Sequence, residues 1–454
     1  MDVAILGTGY VGLTTGACLA FLGHNVTCVD ADERKIAALE KGQVPFFEPF
    51  MEELLEDAKE HLNFTTDYAQ AVPKAKVIFI AVGTPPGPGG APDLKYLEAA
   101  ARGIGAQLGN EFTVVVNKST VPIGSGNWVG SIVREAYEKR HNRKADGAFA
   151  VASNPEFLRE GSAILDSLYP DRVVIGADEA RTAEVLYTLY RPILDQKFQA
   201  PRYLPRPDGC EAVPLISADL ASAELIKYAA NAFLALKISY INEIGLLAEK
   251  VGADIGQVAK GIGLDARIGT RFLQAGIGWG GSCFGKDTAA LVATAGEYGL
   301  ETPIVKAARE INRRQRERVV EKLLGELKIL KGRTIGLLGL AFKPQTDDLR
   351  EAPALDIARK LIERGARVKV HDPVATERFK RENADLEVTC CEAPEEVARE
   401  ADAVVLVTEW PEYRELDWEA ILPTMRSPVM LDGRNLFDRQ QMTRAGFRYL
   451  SLAG

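Results

Sequence analysis

Apolar residues in this chain fall into short unbroken runs and longer stretches of helical spacing. Val3–Gly7 is a short apolar run of strand type that ends in a glycine-rich turn. Leu13–Gly23 then predicts a helix closed by a C-cap glycine. Asn25–Asp30, Val77–Val82 and Phe112–Asn117 read as further strands. Strands apolar throughout and separated by helices predict a parallel sheet covered on both faces. A long proline-free helix is predicted from about Ala218 to Lys250, with Leu225, Tyr228, Ala229, Ala232, Phe233 and Leu236 at helical spacing. It reads as a spine between two lobes, able to carry a subunit interface. A glycine-rich loop, Gly276–Gly285, precedes a predicted helix over Lys286–Tyr298. A second series begins with a strand and turn at Thr334–Phe342 and a helix at Arg350–Gly365. Strands at Ala366–Pro373, Ala403–Trp410 and Val429–Gly433 follow. The predicted class is α/β, with two Rossmann-like doubly wound domains joined by a long central helix and a helical region. The expected domains are residues 1–200, 201–315 and 316–454.

Composition narrows the class. The chain has 454 residues, 46% hydrophobic and 26% charged, values of a globular protein rather than a disordered tail, a collagen-like fibre or a membrane bundle. A net charge of −8 argues against a nucleic-acid partner. No apolar run approaches the roughly 18 residues of a membrane span. Asp2, and Gly7 interrupting the first apolar run, do not suit a signal peptide, so a cytoplasmic protein without a membrane partner is expected. Cys18, Cys28, Cys210, Cys283, Cys390 and Cys391 form no CxxC pair and are too sparse for a disulfide framework. The histidines are isolated from one another, and no metal site is expected. The basic stretch Arg313–Arg318 reads as a solvated helix face.

Gly7-Thr8-Gly9-Tyr10-Val11-Gly12 is a GxGxxG turn placed after a strand and before a helix. Gly7 permits the tight turn, Gly9 lets a pyrophosphate approach the backbone, and Gly12 allows close helix–strand packing. Asp30 stands at the end of the second strand, where an acid binds a ribose and repels a 2′-phosphate, so NAD is expected rather than NADP. Lys35 is a further candidate near the adenosine ribose.

Cys283 is framed by glycines just before a predicted helix and close to Lys286. A helix N-terminus and a neighbouring ammonium favour the thiolate. Cys18 and Cys28 read instead as small buried hydrophobes. Lys227 and Asn231, four apart on the long helix, place an ammonium and an amide on one face. In Asn154-Pro155-Glu156-Phe157-Leu158-Arg159-Glu160-Gly161, Glu156 and Glu160 would pair if the segment turned helical. A nicotinamide site with an activated thiol suits oxidation of an alcohol to an aldehyde, then through a thiohemiacetal to a thioester that water hydrolyses. Lys227 and Asn231 are candidate donors to the oxyanions. Lys343 and Arg434 are two cations of the second lobe suited to a pyrophosphate.

The chain resembles the UDP-glucose/GDP-mannose dehydrogenase family nearly end to end. The resemblance rests on GTGYVG, VGTP, STVPIG, SNPEFLREG, AELIKYAANAFLALKISYINE, FLQAGIGWGGSCFGKD, FKPQTDDLRE and DGRN, in that order. GWGGSCFGKD looks most like the UDP-glucose branch. The resemblance implies a four-electron oxidation of the sugar carbon 6 alcohol to a carboxylate with two NAD. It implies that Cys283 is the nucleophile and that Lys227 and Asn231 stabilise the oxyanions. Asp287, Thr120 and Glu156 would organise the catalytic water, with Glu156 a candidate base. Thr84, Ser119, Thr120, Glu160, Lys286 and Arg350 would line the NAD site beside Gly7, Gly9, Tyr10, Val11, Gly12, Asp30 and Lys35. The nucleotide sugar would meet Glu156, Phe157, Leu158, Arg159, Glu160, Lys227 and Asn231. Phe272, Leu273, Gln274, Ala275, Gly276, Gly280, Lys343 and Arg434 would complete that site. Arg267 matches a position that reaches substrate in a neighbouring subunit, which implies a homodimer. The chain departs from the family pattern at Trp279, where Phe or Tyr is expected, and in its Gly/Pro-rich Pro85–Pro92 loop. Cys390 and Cys391 match no family role.

The same mechanism on GDP-mannose or a UDP-N-acetylhexosamine is the nearest rival. A two-electron β-hydroxyacid dehydrogenase shares the N-terminal fold but needs neither Cys283 nor the second lobe. A non-catalytic NAD-binding scaffold would need none of Cys283, Lys227 and Asn231.

Overall fold

The computed structural model describes residues 1–85, 87 and 90–452. They form two units, one of Met1–Ala229 with Ala289–Tyr298, the other of Ala230–Thr288 with Gly299–Gly454. Pro86, Pro88 and Gly89 of the Gly/Pro-rich loop lie outside the described residues.

The first unit is built on eight strands: β1 (Asp2–Leu6), β2 (Asn25–Val29), β3 (Leu62–Thr65), β4 (Val77–Ile80), β5 (Thr113–Asn117), β6 (Phe149–Ser153), β7 (Val173–Ala177) and β8 (Leu215–Ala218). Their order is β3-β2-β1-β4-β5-β6-β7-β8. Alternate residues of β1 feed opposite cores, Val3 and Ile5 on one face, Ala4 and Leu6 on the other. Such a strand is apolar throughout because both faces are covered. The sheet is not wholly parallel, contrary to the sequence pattern, because β6 and β7 pair antiparallel. The link between them is the irregular segment 154–162 and the short helix Ala163–Leu168. Glu156 and Glu160 therefore do not share a helical turn.

The second unit carries six parallel strands: β9 (Thr334–Leu338), β10 (Arg367–His371), β11 (Val388–Cys390), β12 (Ala403–Leu406), β13 (Val429–Asp432) and β14 (Arg448–Ser451). Their order, β11-β10-β9-β12-β13-β14, is the doubly wound order of a Rossmann sheet. The helix expected from Arg350 begins at Pro353 and ends at Glu363. Arg350 lies before it because proline at the first helical position fixes the start.

The long helix Leu220–Val251 contributes to both units. Its buried face mixes polar and apolar residues, and several large apolar side chains point outward. Glu224, Lys227, Asn231, Ser239 and Asn242 are buried, along with Tyr228, Ala232 and Ala235, whereas Leu225 (45%), Phe233 (60%), Tyr240 (49%) and Leu247 (60%) are exposed. Buried polar groups need partners, and these have them. Ser239 donates to the Ala308 carbonyl and Asn242 accepts from the Gly276 amide. Arg313–Arg318 is helical, but Arg316 and Arg318 are not simply solvated. They donate to the carbonyls of Trp279, Glu351 and Leu452. Among the described residues no helix is long and apolar enough to cross a membrane, and no cluster of His, Cys, Asp and Glu is arranged for a metal.

Candidate active site

The first βα turn is shaped by sterics. Gly7 sits at φ 100°, and a Cβ on Gly12 would lie 1.9 Å from the Gly7 carbonyl oxygen, whereas a Cβ on Gly9 would meet nothing within 4 Å. The helix Tyr10–Phe21 starts without a capping side chain, so its first amides remain available to an anion. Asp30 accepts from the Thr8 amide (2.9 Å), the Thr8 hydroxyl (2.7 Å) and the Asp32 amide (3.0 Å), with the Lys35 ammonium at 3.6 Å. Burial pushes this carboxyl up, but the hydrogen bonds and Lys35 outweigh it and hold it below the usual range. An open backbone above Gly9, uncapped amides and an ionised acid at the strand end fit NAD. Gly12→Ala should cost about 1–3 kcal/mol from overpacking and remove NAD binding. Thermal unfolding and NAD titration check both.

The second lobe repeats this device and closes it. Gly339 follows β9 at φ 98°. Asp372, just past β10, accepts from the amides of Leu340, Ala341, Val374 and Ala375 and from the Trp410 indole. The carboxylate consumes the turn amides, and the next helix starts only at Pro353. The dinucleotide geometry therefore belongs to the first unit.

Tyr10 and Val11 begin the helix, and the Tyr10 hydroxyl bonds the buried Glu48 carboxylate. Glu48 also accepts from the amides of Gly161 and Ala163, both at 2.6 Å. This acid ties the dinucleotide turn to the end of the SNPEFLREG segment. Glu48 carries no sequence signal because it lies in a loop with no recognisable spacing. The loops after β4 and β5 are also joined. Thr84 donates to the Thr120 carbonyl (2.9 Å), and Ser119 donates to the carbonyls of Ile80 and Val82. Thr84 and Glu160 are buried, while Ser119 and Thr120 are half-buried.

Glu156 and Lys227 form a buried ion pair. The Lys227 ammonium donates to Glu156 Oε1 (2.7 Å) and to the Glu156 carbonyl (2.6 Å), and the Leu158 amide donates to Oε2 (3.0 Å). Lys227 also lies 5.4 Å from the Phe157 ring centroid, whose other visitor is Arg172 at 3.8 Å. Arg159 is committed to Asp166 (2.7 and 2.9 Å). Lys118, unforeseen from sequence, is buried beside this pair and donates to Asn154 Oδ1 (2.9 Å). Burial lowers its pKa to about 8, with Glu156 opposing and Lys227 adding to the shift. Its sequence gives no sign of burial, because strand-end lysines are usually solvated.

In the second unit, Cys283 directly precedes the helix Phe284–Glu297. Its carbonyl accepts the Asp287 amide (2.8 Å), so the thiol occupies the N-cap position. The half-buried sulfur has the Ser282 hydroxyl at 3.6 Å. By contrast, burial pushes Cys18 and Cys28 up to about 12, which fits them as inert core residues. Asn231 donates to Asp287 Oδ2 (2.6 Å), and Lys286 pairs with Oδ1 (2.6 Å). The loop before the thiol is pinned by Asn312, which accepts from the Trp279 amide (2.8 Å) and donates to its carbonyl (3.0 Å). Gly278 must be glycine, since it has φ 93° and a Cβ there would lie 2.3 Å from Asn312 Oδ1. The Trp279 ring is buried, packs edge-on to Phe284 and donates to Ser239, so its extra size fills core.

The remaining candidates divide. Leu273 and Ala275 point into a core cluster, leaving only main chain to a ligand, while Phe272 and Gln274 are not buried. Gly276 and Gly280 are buried, and Gly276 donates to Asn242. Arg434 donates to the carbonyls of Val407, Gly278 and Phe342 and pairs with Glu409, so it braces the thiol loop. Lys343 is half-buried beside the Phe342 ring. Arg350 is clamped by Asp348. Arg267 is exposed and paired with Asp265.

The NAD binding domain of the UDP-glucose/GDP-mannose dehydrogenase family matches residues 1–194, its central domain 221–314 and its UDP binding domain 336–439. The chain is 46% identical to UDP-glucose 6-dehydrogenase of Rhizobium meliloti (strain 1021), covering 100% of this chain and 99% of that protein. It is similar to the structure of a UDP-glucose dehydrogenase from Pyrobaculum islandicum, with 40% identity, TM-score 0.88 and coverage of 100% and 97%. It is similar also to a UDP-D-ManNAc dehydrogenase from Pyrococcus horikoshii, with 26% identity, TM-score 0.83 and coverage of 100% and 99%. The chain therefore belongs to the UDP-glucose/GDP-mannose dehydrogenase family, whose members oxidise a nucleotide-sugar hydroxyl with NAD.

Proposed function

We propose that the chain oxidises UDP-glucose at carbon 6 to UDP-glucuronate, consuming two NAD per sugar, as a cytoplasmic homodimer. The observation that carries the reading is the thiol of Cys283 at a helix N-cap on a glycine-framed loop. A two-electron dehydrogenase has no use for it. The choice of sugar is supported by a 46% identical relative named for UDP-glucose.

NAD, when bound, accepts hydride from carbon 6. Gly7, Gly9, Tyr10, Val11, Gly12 and Asp30 hold it, with Lys35, Thr84, Ser119, Thr120, Glu160, Lys286 and Arg350 along its length. Cys283 adds to the carbon 6 aldehyde as a thiohemiacetal, whose oxidation leaves a thioester. Lys227 and Asn231 offset the negative charge that develops on the carbon 6 oxygen. Asp287, Thr120 and Glu156 order the hydrolytic water, and Glu156 takes its proton. Phe157, Leu158, Arg159, Phe272–Gly276, Gly280, Lys343 and Arg434 line the nucleotide-sugar site. Arg267 serves the neighbouring subunit. The dimer reading is supported by Phe233, Tyr240 and Leu247, exposed at seven-residue spacing on one helix face.

The test is NADH counted against limiting UDP-glucose, GDP-mannose and UDP-N-acetylhexosamines. Two NADH per UDP-glucose are expected. Two per another sugar would move the specificity and keep the thiol mechanism. One per sugar would remove the role of Cys283.

A further inference from the structure

Glu224, on the buried polar face of the long helix, is an acid without a place in the mechanism above. Glu224 lies one helical turn before Lys227 and is 3% exposed. Its Oε2 accepts the Gly124 amide at 2.6 Å and its Oε1 accepts the Gly126 amide at 2.9 Å. These amides stand where the STVPIG loop enters the helix Ser125–His141, whose N-cap, Gly124, has no side chain to offer. The other end of that loop is held by Ser119 on the carbonyls of Ile80 and Val82 and by the Thr84 hydroxyl on the Thr120 carbonyl. One face of one helix thus grips both segments that leave the C-terminal ends of β5 and β6, Glu224 the first and Lys227 the second. In an open α/β sheet ligands bind at those strand ends.

We propose that Glu224 is a positioning residue that, through its two main-chain hydrogen bonds, sets the Ser119–Gly124 loop for cofactor and makes NAD binding depend on its ionisation. The inference rests on the reading that this loop lines the NAD site. Only a carboxylate presents two acceptor oxygens to two amides at once, because protonation turns one oxygen into a hydroxyl. Burial pushes the Glu224 pKa up to about 7, and the two amides work against that rise. Asp178, just past β7, is the charged group that raises it further. Asp219, directly before this helix, is turned to Ser222. The sign is clear: a carboxyl raised in the folded state stabilises the fold at low pH and loses that contribution as pH rises through about 7. The ionised form therefore costs stability at the pH where it grips the loop.

The experiment is NAD affinity from pH 6 to 8, measured by calorimetry on the full chain, for wild type, Glu224→Gln and Asp178→Asn. Wild type should bind NAD more weakly as pH falls below about 7. Glu224→Gln, which keeps the shape but offers one oxygen, should bind about tenfold more weakly at pH 8, the worth of one charge-assisted hydrogen bond, with no transition near pH 7. Asp178→Asn, an exposed change, should bind like wild type at pH 8 with its transition moved to lower pH. Wild-type affinity and pH dependence in Glu224→Gln would overturn the inference. Should that variant fail to fold, an unmoved transition in Asp178→Asn, or none in wild type, would overturn it. A wild type that binds no NAD at any pH would overturn the cofactor reading itself.

Discussion

Cys283→Ala should lower UDP-glucuronate formation by about 10⁴-fold or more, while NAD and nucleotide-sugar affinities stay near wild type. The side chain is half-buried with the Ser282 hydroxyl at 3.6 Å, and its truncation to alanine is expected to leave the fold intact. What is lost is the only covalent attachment in the scheme, and neither amide nor ammonium donors can replace a nucleophile. Cys283→Ser sharpens the test. A hydroxyl at the same N-cap can add to an aldehyde, but the resulting ester hydrolyses more slowly than a thioester. A mass increase on intact Cys283→Ser protein after incubation with substrate and NAD is therefore expected. Robust acid production by Cys283→Ala would remove the thioester route and leave a hydrated aldehyde as the species oxidised.

Much of this scheme is legible in sequence because the residues concerned sit beside glycines. The GTGYVG turn and the loop before Cys283 need glycine where a Cβ would strike a carbonyl or an amide, as at Gly12 and Gly278. Such steric demands leave a local signature. Strands β1, β2, β4 and β5 of the first lobe and β9, β10, β12 and β13 of the second are legible from their largely apolar runs, which two-sided burial explains. Asp30 is legible for another reason: its distance from the turn is set by one βαβ unit.

The long helix is legible as a helix, but which of its faces is buried is not. Hydrophobic periodicity locates the face that leaves water, and here Phe233, Tyr240 and Leu247 remain exposed while Glu224, Lys227 and Asn231 are buried. A polar residue can be buried when a specific partner waits, and the partners lie 98, 71 and 56 positions away in the chain, at Gly126, Glu156 and Asp287. No local rule carries that information. Glu48 and Lys118 leave no sequence signal for the same reason, since each acts through tertiary hydrogen bonds to main chain or amide. The antiparallel β6–β7 pair was hidden because strand direction is decided by the irregular segment 154–162, whose conformation depends on these distant acids and bases.

Lys227→Met should be the most costly of the polar substitutions, in stability as well as turnover. Methionine fills much the same volume, but it leaves the Glu156 carboxylate, 7% exposed, without its ammonium. Removing one partner of a buried pair costs about 3–5 kcal/mol. Lys118 remains close enough to attract Glu156, and the Leu158 amide still donates to it, which places the expected loss at about 3 kcal/mol. Denaturant unfolding of the full chain measures it. The double variant Lys227→Met/Glu156→Gln, with neither charge, should recover most of the stability. It should not recover turnover, because the cation that offsets charge on the carbon 6 oxygen is still missing, a loss of about 10²–10³-fold. Stability restored together with turnover would mean that Lys227 serves only to hold Glu156.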